Sequence, residues 1–116
     1  MGSYFTERYD KMTLVLSELK KRNLFYIDSR TTSRTVAFEL AKKMGVPVAK
    51  KSVFLDNDLS LKAIKVQMER LLGIARYSGT AVGIGHPHKE TLRVLNEYLD
   101  QLKSDFRVVP VSELVN

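Results

Sequence analysis

Three stretches of this sequence carry side chains that can move protons or grip anions: Gly85-His86-Pro87-His88, Asp28-Ser29-Arg30-Thr31-Thr32, and the lone acid Asp56. An imidazole held at a strand end by a following proline can act as general acid or base near neutral pH. His86 fits that description, and it fits equally a polar entry into a helix; for His88 the helix-entry reading leads. At i and i+2 the two rings would share a side of an extended segment, but Pro87 and the start of a helix are expected to separate them. The spacing is therefore weak support for a two-histidine metal site. The turn from Asp28 combines an acid, a guanidinium and three hydroxyls ahead of a helix. It could bind an anion or orient a substrate carbonyl, or it could be an Asp-Arg ion pair with hydroxyl capping. Neither a glycine-rich phosphate loop nor a Gly-x-Ser-x-Gly turn is present.

Composition narrows the chemistry. The chain has 116 residues, 44% of them hydrophobic, which suits one compact domain. It contains no cysteine, so disulfides, thiolate zinc sites and cysteine nucleophiles are excluded, and any metal would need His, Asp or Glu. Nineteen Lys plus Arg against thirteen Asp plus Glu leave a net charge of +6. That permits attraction to nucleic acid or to anionic cell-surface polymers. However, Lys20-Lys21-Arg22, Lys42-Lys43 and Lys50-Lys51 fall at or just beyond predicted helix ends, where basic residues complement the helix dipole. No aromatic residues interleave with them as a single-strand binding surface needs, and no nucleic-acid partner is expected. No apolar run approaches the roughly 20 residues of a membrane span, and the first ten residues lack the pattern of a signal peptide. A soluble chain is expected.

Helical and strand-like periods alternate along the chain, and they must position those residues. Tyr9, Met12, Leu16 and Leu19 predict a helix over about 6–22, capped by Thr6 and closed by Asn23. A strand over Leu24 to Ile27 then ends at Asp28. Ser33 is expected to cap a second helix with Val36, Ala37, Leu40, Ala41 and Met44 on one face, stopped by Gly45 and Pro47. A strand over Ser52 to Leu55 ends at Asp56, after an extended piece near Val46 to Ala49. The third helix starts at Asp58 or Ser60, carries Leu61, Ile64, Met68, Leu71, Leu72 and Ala75 inward, and ends at Gly79. Thr80 to Gly85 reads as a strand whose small residues suit close packing, ending at His86. A fourth helix from Lys89 places Leu92, Leu95, Leu99 and Leu102 together, and Arg107 to Pro110 reads as a last strand before a turn over Val111 to Val115. The class is α/β with parallel strands. Asp28, Asp56 and His86 are expected at the carboxyl ends of neighbouring strands, on one rim.

Five segments carry a family resemblance: Gly2-Ser3-Tyr4-Phe5-Thr6, Asn23 through Thr32, Val53-Phe54-Leu55-Asp56-Asn57, Gly83 through His88, and Val109 through Leu114. In this order they resemble the divergent polysaccharide deacetylases, the YibQ-like branch of the NodB-type carbohydrate esterases. The resemblance implies parallel β/α units forming about half of a distorted (β/α) barrel of the glycoside hydrolase/deacetylase type, which needs about 250 residues to close. Residues 1–116 would be a single domain, the C-terminal half of the deacetylase domain. The other half would supply an Asp-Asp pair, a His-containing segment, and an Asn-His just ahead of the stretch matching Met1-Gly2-Ser3. The family's divalent metal, zinc by expectation, would sit there, and no metal is expected to bind this chain tightly.

By the same resemblance, His86 would protonate the leaving amine and Asp28 would orient or tune that histidine. These are the candidate catalytic residues. Arg30 would bind substrate or hold Asp28, with Ser29 and His88 as further candidate substrate-binding residues, while Asp56 would be structural. In the family mechanism a divalent metal polarises the acetyl carbonyl and activates water, a carboxylate removes its proton, and a histidine protonates the departing nitrogen. The implied function is N-acetyl removal, a C–N hydrolysis, on an acetylated polysaccharide or cell-wall glycan, in an extracytoplasmic or periplasmic setting. The isolated half is expected to be inactive. The alternatives are a noncatalytic carbohydrate-binding or assembly module and, as a minor rival, a basic nucleic-acid binder. Exposed half-barrel edges would favour homo-oligomers.

Overall fold

The computed structural model describes residues 2–116; Met1, where the matched stretch and the 1–116 domain range begin, lies outside the described residues. The chain forms two compact units, Met1–Lys51 with Val111–Asn116, and Ser52–Pro110. Each is built on a parallel strand–helix–strand crossover, as the α/β reading requires.

In the first unit the elements are α1 (Gly2–Thr6), α2 (Tyr9–Lys21), β1 (Tyr26–Asp28), α3 (Ala37–Met44) and β2 (Val48–Lys50). The strands β1 and β2 pair in parallel, with Tyr26 opposite Val48 and Asp28 opposite Lys50. Met12 and Leu16 from α2 meet Ala37, Leu40 and Ala41 from α3 over Val46 and Val48. The final residue, Asn116, exchanges two backbone hydrogen bonds with Val48, at 3.1 and 3.2 Å.

Several boundaries differ from expectation for local reasons. The helix expected over about 6–22 begins only at Tyr9, because Arg8 is extended at φ −95°, ψ 106°, and a short helix the spacing did not predict, α1, precedes it. Thr6 caps nothing: its hydroxyl donates to the Ser3 carbonyl, and its own carbonyl accepts the Val36 N–H. Asn23 closes α2 as expected, in the left-handed region at φ 56°. The Leu24 N–H bonds back to the Leu19 carbonyl at 2.9 Å as part of that closure, so β1 begins two residues later than expected. Ser33 does not cap α3; the Thr35 hydroxyl accepts the Ala37 N–H instead. Gly45 ends α3 at φ 74°. The extended piece near Val46 is a full strand, so Lys50-Lys51 lies at a strand end and not at a helix end.

The second unit contains β3 (Val53–Phe54), α4 (Leu61–Ser78), β4 (Gly83–Ile84), α5 (Lys89–Glu97) and α6 (Leu99–Asp105). Val53 pairs with Gly83 and Phe54 with Ile84, again in parallel. The core holds Val53, Leu55, Ile64, Met68 and Val94. The Ser60 hydroxyl caps α4 by accepting the Ala63 N–H at 3.1 Å. Gly83 shows why small residues serve β4, since a Cβ there would lie 2.7 Å from Leu71 Cδ2.

The fourth helix departs most from its predicted face. Thr91 and Val94 are the buried residues, whereas Leu92 and Leu99 are exposed. Leu95 and Leu102 do pack against the core, so the buried face is shifted toward Thr91 and Val94 but still shares two of the predicted positions, and the helix is interrupted at Tyr98, between α5 and α6. Arg107 to Pro110 forms no strand among the described residues; Pro110 has no N–H to offer a ladder. A short 3-10 turn, Val111–Glu113, follows as expected.

Candidate functional site

Parallel pairing of β3 with β4 sets the residues that follow them side by side. Asp56 is buried, and its Oδ1 lies 2.9 Å from Nδ1 of His86. Its other oxygen, Oδ2, accepts the backbone N–H of His86 and the hydroxyl of Thr91, the latter at 2.8 Å. Gly85 makes this approach possible, because a Cβ there would stand 3.1 Å from Thr91 Cγ2 and 3.5 Å from Asp56 Oδ2.

Burial alone would raise the Asp56 carboxyl. The bonds donated by the His86 backbone, the His86 ring and the Thr91 hydroxyl outweigh burial and hold its pKa down at about 2. Asp56 is thus an anion at neutral pH, and an anion on Nδ1 fixes the proton of the neutral ring there. Nε2 is then the ring nitrogen that carries the unshared pair. The His86 side chain is 60% exposed while that of Asp56 is fully shielded, so the pair has one anchored member and one accessible member.

His88 lies closer to His86 than expected. Its backbone N–H bonds to the His86 carbonyl at 2.8 Å, and this tight turn leaves the ring centroids 5.9 Å apart instead of separated by Pro87. Asp56, His86 and His88 each offer a ligand atom, all within 4.8 Å of one another. Three donors already occupy the Asp56 oxygens, one on Oδ1 and two on Oδ2. An imidazole backed through Nδ1 by a carboxylate is an arrangement that serves both proton transfer and cation ligation through Nε2.

In the first unit, Asp28 is also buried, and it organises its own loop. Oδ1 accepts the Arg30 N–H at 2.9 Å; Oδ2 accepts the Thr35 hydroxyl at 3.0 Å and the Phe38 N–H at 3.2 Å. Arg30 therefore meets Asp28 through its backbone and not through an ion pair of the guanidinium. Its backbone is left-handed, at φ 50°. Ser29 sits half-buried between them. The carboxylate on the His86 ring is Asp56, which the sequence reading had as structural. One signal could have found it: Asp56 and His86 each lie two residues beyond a strand of one parallel crossover, which makes them neighbours.

Parallel βαβ units, one of them with an Asp–His pair just beyond its two paired strands, define an α/β protein. The chain belongs to the divergent polysaccharide deacetylase family, matched over residues 1–115. It is 39% identical over 116 residues to the uncharacterized protein YibQ of Escherichia coli strain K12, covering all of this chain and 36% of that one. It is 34% identical over 114 residues to an uncharacterized protein of Haemophilus influenzae, covering 98% of this chain and 41% of that one. The crystal structure of uncharacterized protein ATU2773 from Agrobacterium tumefaciens C58 shares the fold, with a TM-score of 0.91 at 23% identity. That similarity covers 96% of this chain and 46% of the other. The chain thus spans well under half the length of the curated relatives it matches. No described helix is long and apolar enough to cross a membrane.

Proposed function

We propose that this chain is the proton-donating half of a polysaccharide N-deacetylase of the half-barrel type, with His86 as general acid and Asp56 as the residue that positions it. The observation carrying this reading is the 2.9 Å pairing of a fully shielded carboxylate with Nδ1 of an accessible imidazole. When water adds to an acetamide carbonyl and the C–N bond breaks, the departing nitrogen must gain a proton. Protonated Nε2 of His86 supplies it, and Asp56 stabilises the imidazolium before transfer. Asp28 is reassigned from tuning that histidine to shaping the Arg30 loop. Ser29, Arg30 and His88 are the proposed substrate contacts.

The divalent metal and the base that the family resemblance implies are assigned, in this reading, to the part of the longer relatives that the chain does not span. The substrate class is acetylated or cell-wall glycan, and the proposed setting is extracytoplasmic. The partial span of the relatives also favours a second reading, a noncatalytic glycan-binding or assembly module. Assays on chitin-like oligomers separate the two. The 116-residue chain alone is expected to be inactive, and joining it to the remaining segment of the Escherichia coli relative is expected to yield deacetylation. In that joined protein, His86→Ala should lower turnover by about 10² to 10⁴, the usual range for a general acid. Unchanged turnover in His86→Ala would remove the acid role, and no activity in the joined protein would favour the binding module.

A further inference from the structure

The net charge is unevenly distributed. The first unit holds eleven Lys and Arg against six Asp and Glu, while the second holds eight against seven. Within the first unit, ion pairs consume Asp10, Glu18 and Glu7, which face Arg8, Lys21, Arg22 and Arg34. Asp28 spends its charge on three donors of its own loop. Among the described residues, the side chains of Arg30, Lys42 and Lys50 form no ion pair with a carboxylate.

These cations surround the carboxyl ends of β1 and β2. Arg30 is half-buried and held in a left-handed backbone that non-glycine residues rarely adopt. Two contacts impose it: Asp28 Oδ1 accepts its N–H, and Lys51 Nζ donates to its carbonyl at 3.5 Å. Such an over-determined outlier, with its planar fork unused, points to a ligand. Lys50 Nζ stands 4.7 Å and Lys42 Nζ 5.0 Å from the ring centre of Phe38, whose backbone N–H shares the Asp28 carboxylate with that of Arg30. That ring is engaged by two ammonium groups and offers no free platform for stacking bases, which argues against single-stranded nucleic acid.

We propose that Arg30, with Lys50, forms a site at the carboxyl ends of β1 and β2 that recognises the carboxylate or phosphate groups of an acidic glycan. A guanidinium fork takes such oxyanions bidentately, and the ammonium group of Lys50 adds attraction. That the ligand is a glycan rests on the function proposed above; that it is an oxyanion rests on this unit alone.

Binding is measured by calorimetry and amide-shift mapping on the full chain, without turnover, so an inactive chain leaves the inference standing. The probes are a galacturonate hexamer, phosphate-bearing mannose oligomers, neutral chitohexaose and a single-stranded oligodeoxynucleotide of matched charge. At least one acidic oligosaccharide should bind, more weakly as salt rises, with shifts centred on Arg30 and Lys50. Arg30→Gln should weaken it by about ten-fold, with a smaller loss in Arg30→Lys, which keeps the charge but not the fork. Lys62→Gln, in the second unit, should bind normally. Four results would overturn the proposal: no binding of either acidic probe, equal binding of chitohexaose, tighter binding of the oligodeoxynucleotide, or undiminished binding by folded Arg30→Gln. If Arg30→Gln does not fold, shifts in the native chain that centre away from Arg30 and Lys50 would overturn it equally.

Discussion

The hydroxyl of Thr91 reaches from the first turn of α5 to Oδ2 of Asp56, at 2.8 Å, and occupies the oxygen that the His86 ring leaves unused. This division of the two oxygens aims Oδ1 at Nδ1. It also accounts for the shifted face of α5, since burying Thr91 turns Leu92 outward.

Removing that hydroxyl should therefore disturb the imidazole it never touches. In Thr91→Val, a near-isosteric change, Oδ2 loses a donor in a buried place, a loss worth about 1 to 3 kcal/mol. Nitrogen-15 spectra at mildly alkaline pH should show the native His86 ring protonated at Nδ1. The ring of Thr91→Val should be a mixture of both tautomers, and Thr91→Ser should restore the native pattern. A Thr91→Val spectrum identical to the native one would show that Asp56 needs no such support.

Acid stability follows from the same carboxylate. Its pKa of about 2 in the folded chain lies below the ordinary 3.8, so ionised Asp56 favours the folded state. That contribution is present in full above about pH 4 and is lost as pH falls through about 2. Comparing melting temperatures of the native chain and Asp56→Asn should show a gap that narrows across this window. A gap that widens on acidification would contradict the depressed value.

Glycine substitutions should separate by backbone conformation. Gly73 lies inside α4 with nothing within 4 Å of a Cβ, so Gly73→Ala should stabilise the chain by about 0.5 to 1 kcal/mol. Gly79 has equally open space but φ 89°, so Gly79→Ala should destabilise it by about 1 kcal/mol or more. Thermal melts of the pair should move in opposite directions, and a shared direction would refute the conformational argument.

Self-association is the expectation for two parallel ladders of only two strands each, since so narrow a ladder leaves little of its edge to be covered from within. Light scattering on the isolated chain should show dimers or larger species at micromolar concentration. A persistent monomer would count against the half-barrel reading.

Much of the frame was legible in the sequence because its signals are local. Gly45, Gly79 and Asn23 mark helix ends through left-handed backbone, Ser60 caps through its own hydroxyl, and the inward face of α4 follows from spacing. What stayed hidden depends on partners distant in sequence. Thr6 looks like a cap until its carbonyl is taken by Val36, and the face of α5 cannot be known before Thr91 has met Asp56. The role of Asp56 itself waits on the pairing of β3 with β4, and the backbone of Arg30 on the carboxylate of Asp28.

The bonds between Asn116 and Val48 have a consequence for the order of assembly. The first unit is interrupted in sequence, with residues 52–110 inserted between β2 and the segment that returns to it. The contact joins positions far apart in the chain, and an inserted unit that folds by itself shortens the loop that must be closed, so the Asp56–His86 pair is expected to form before Val48 gains its last partner.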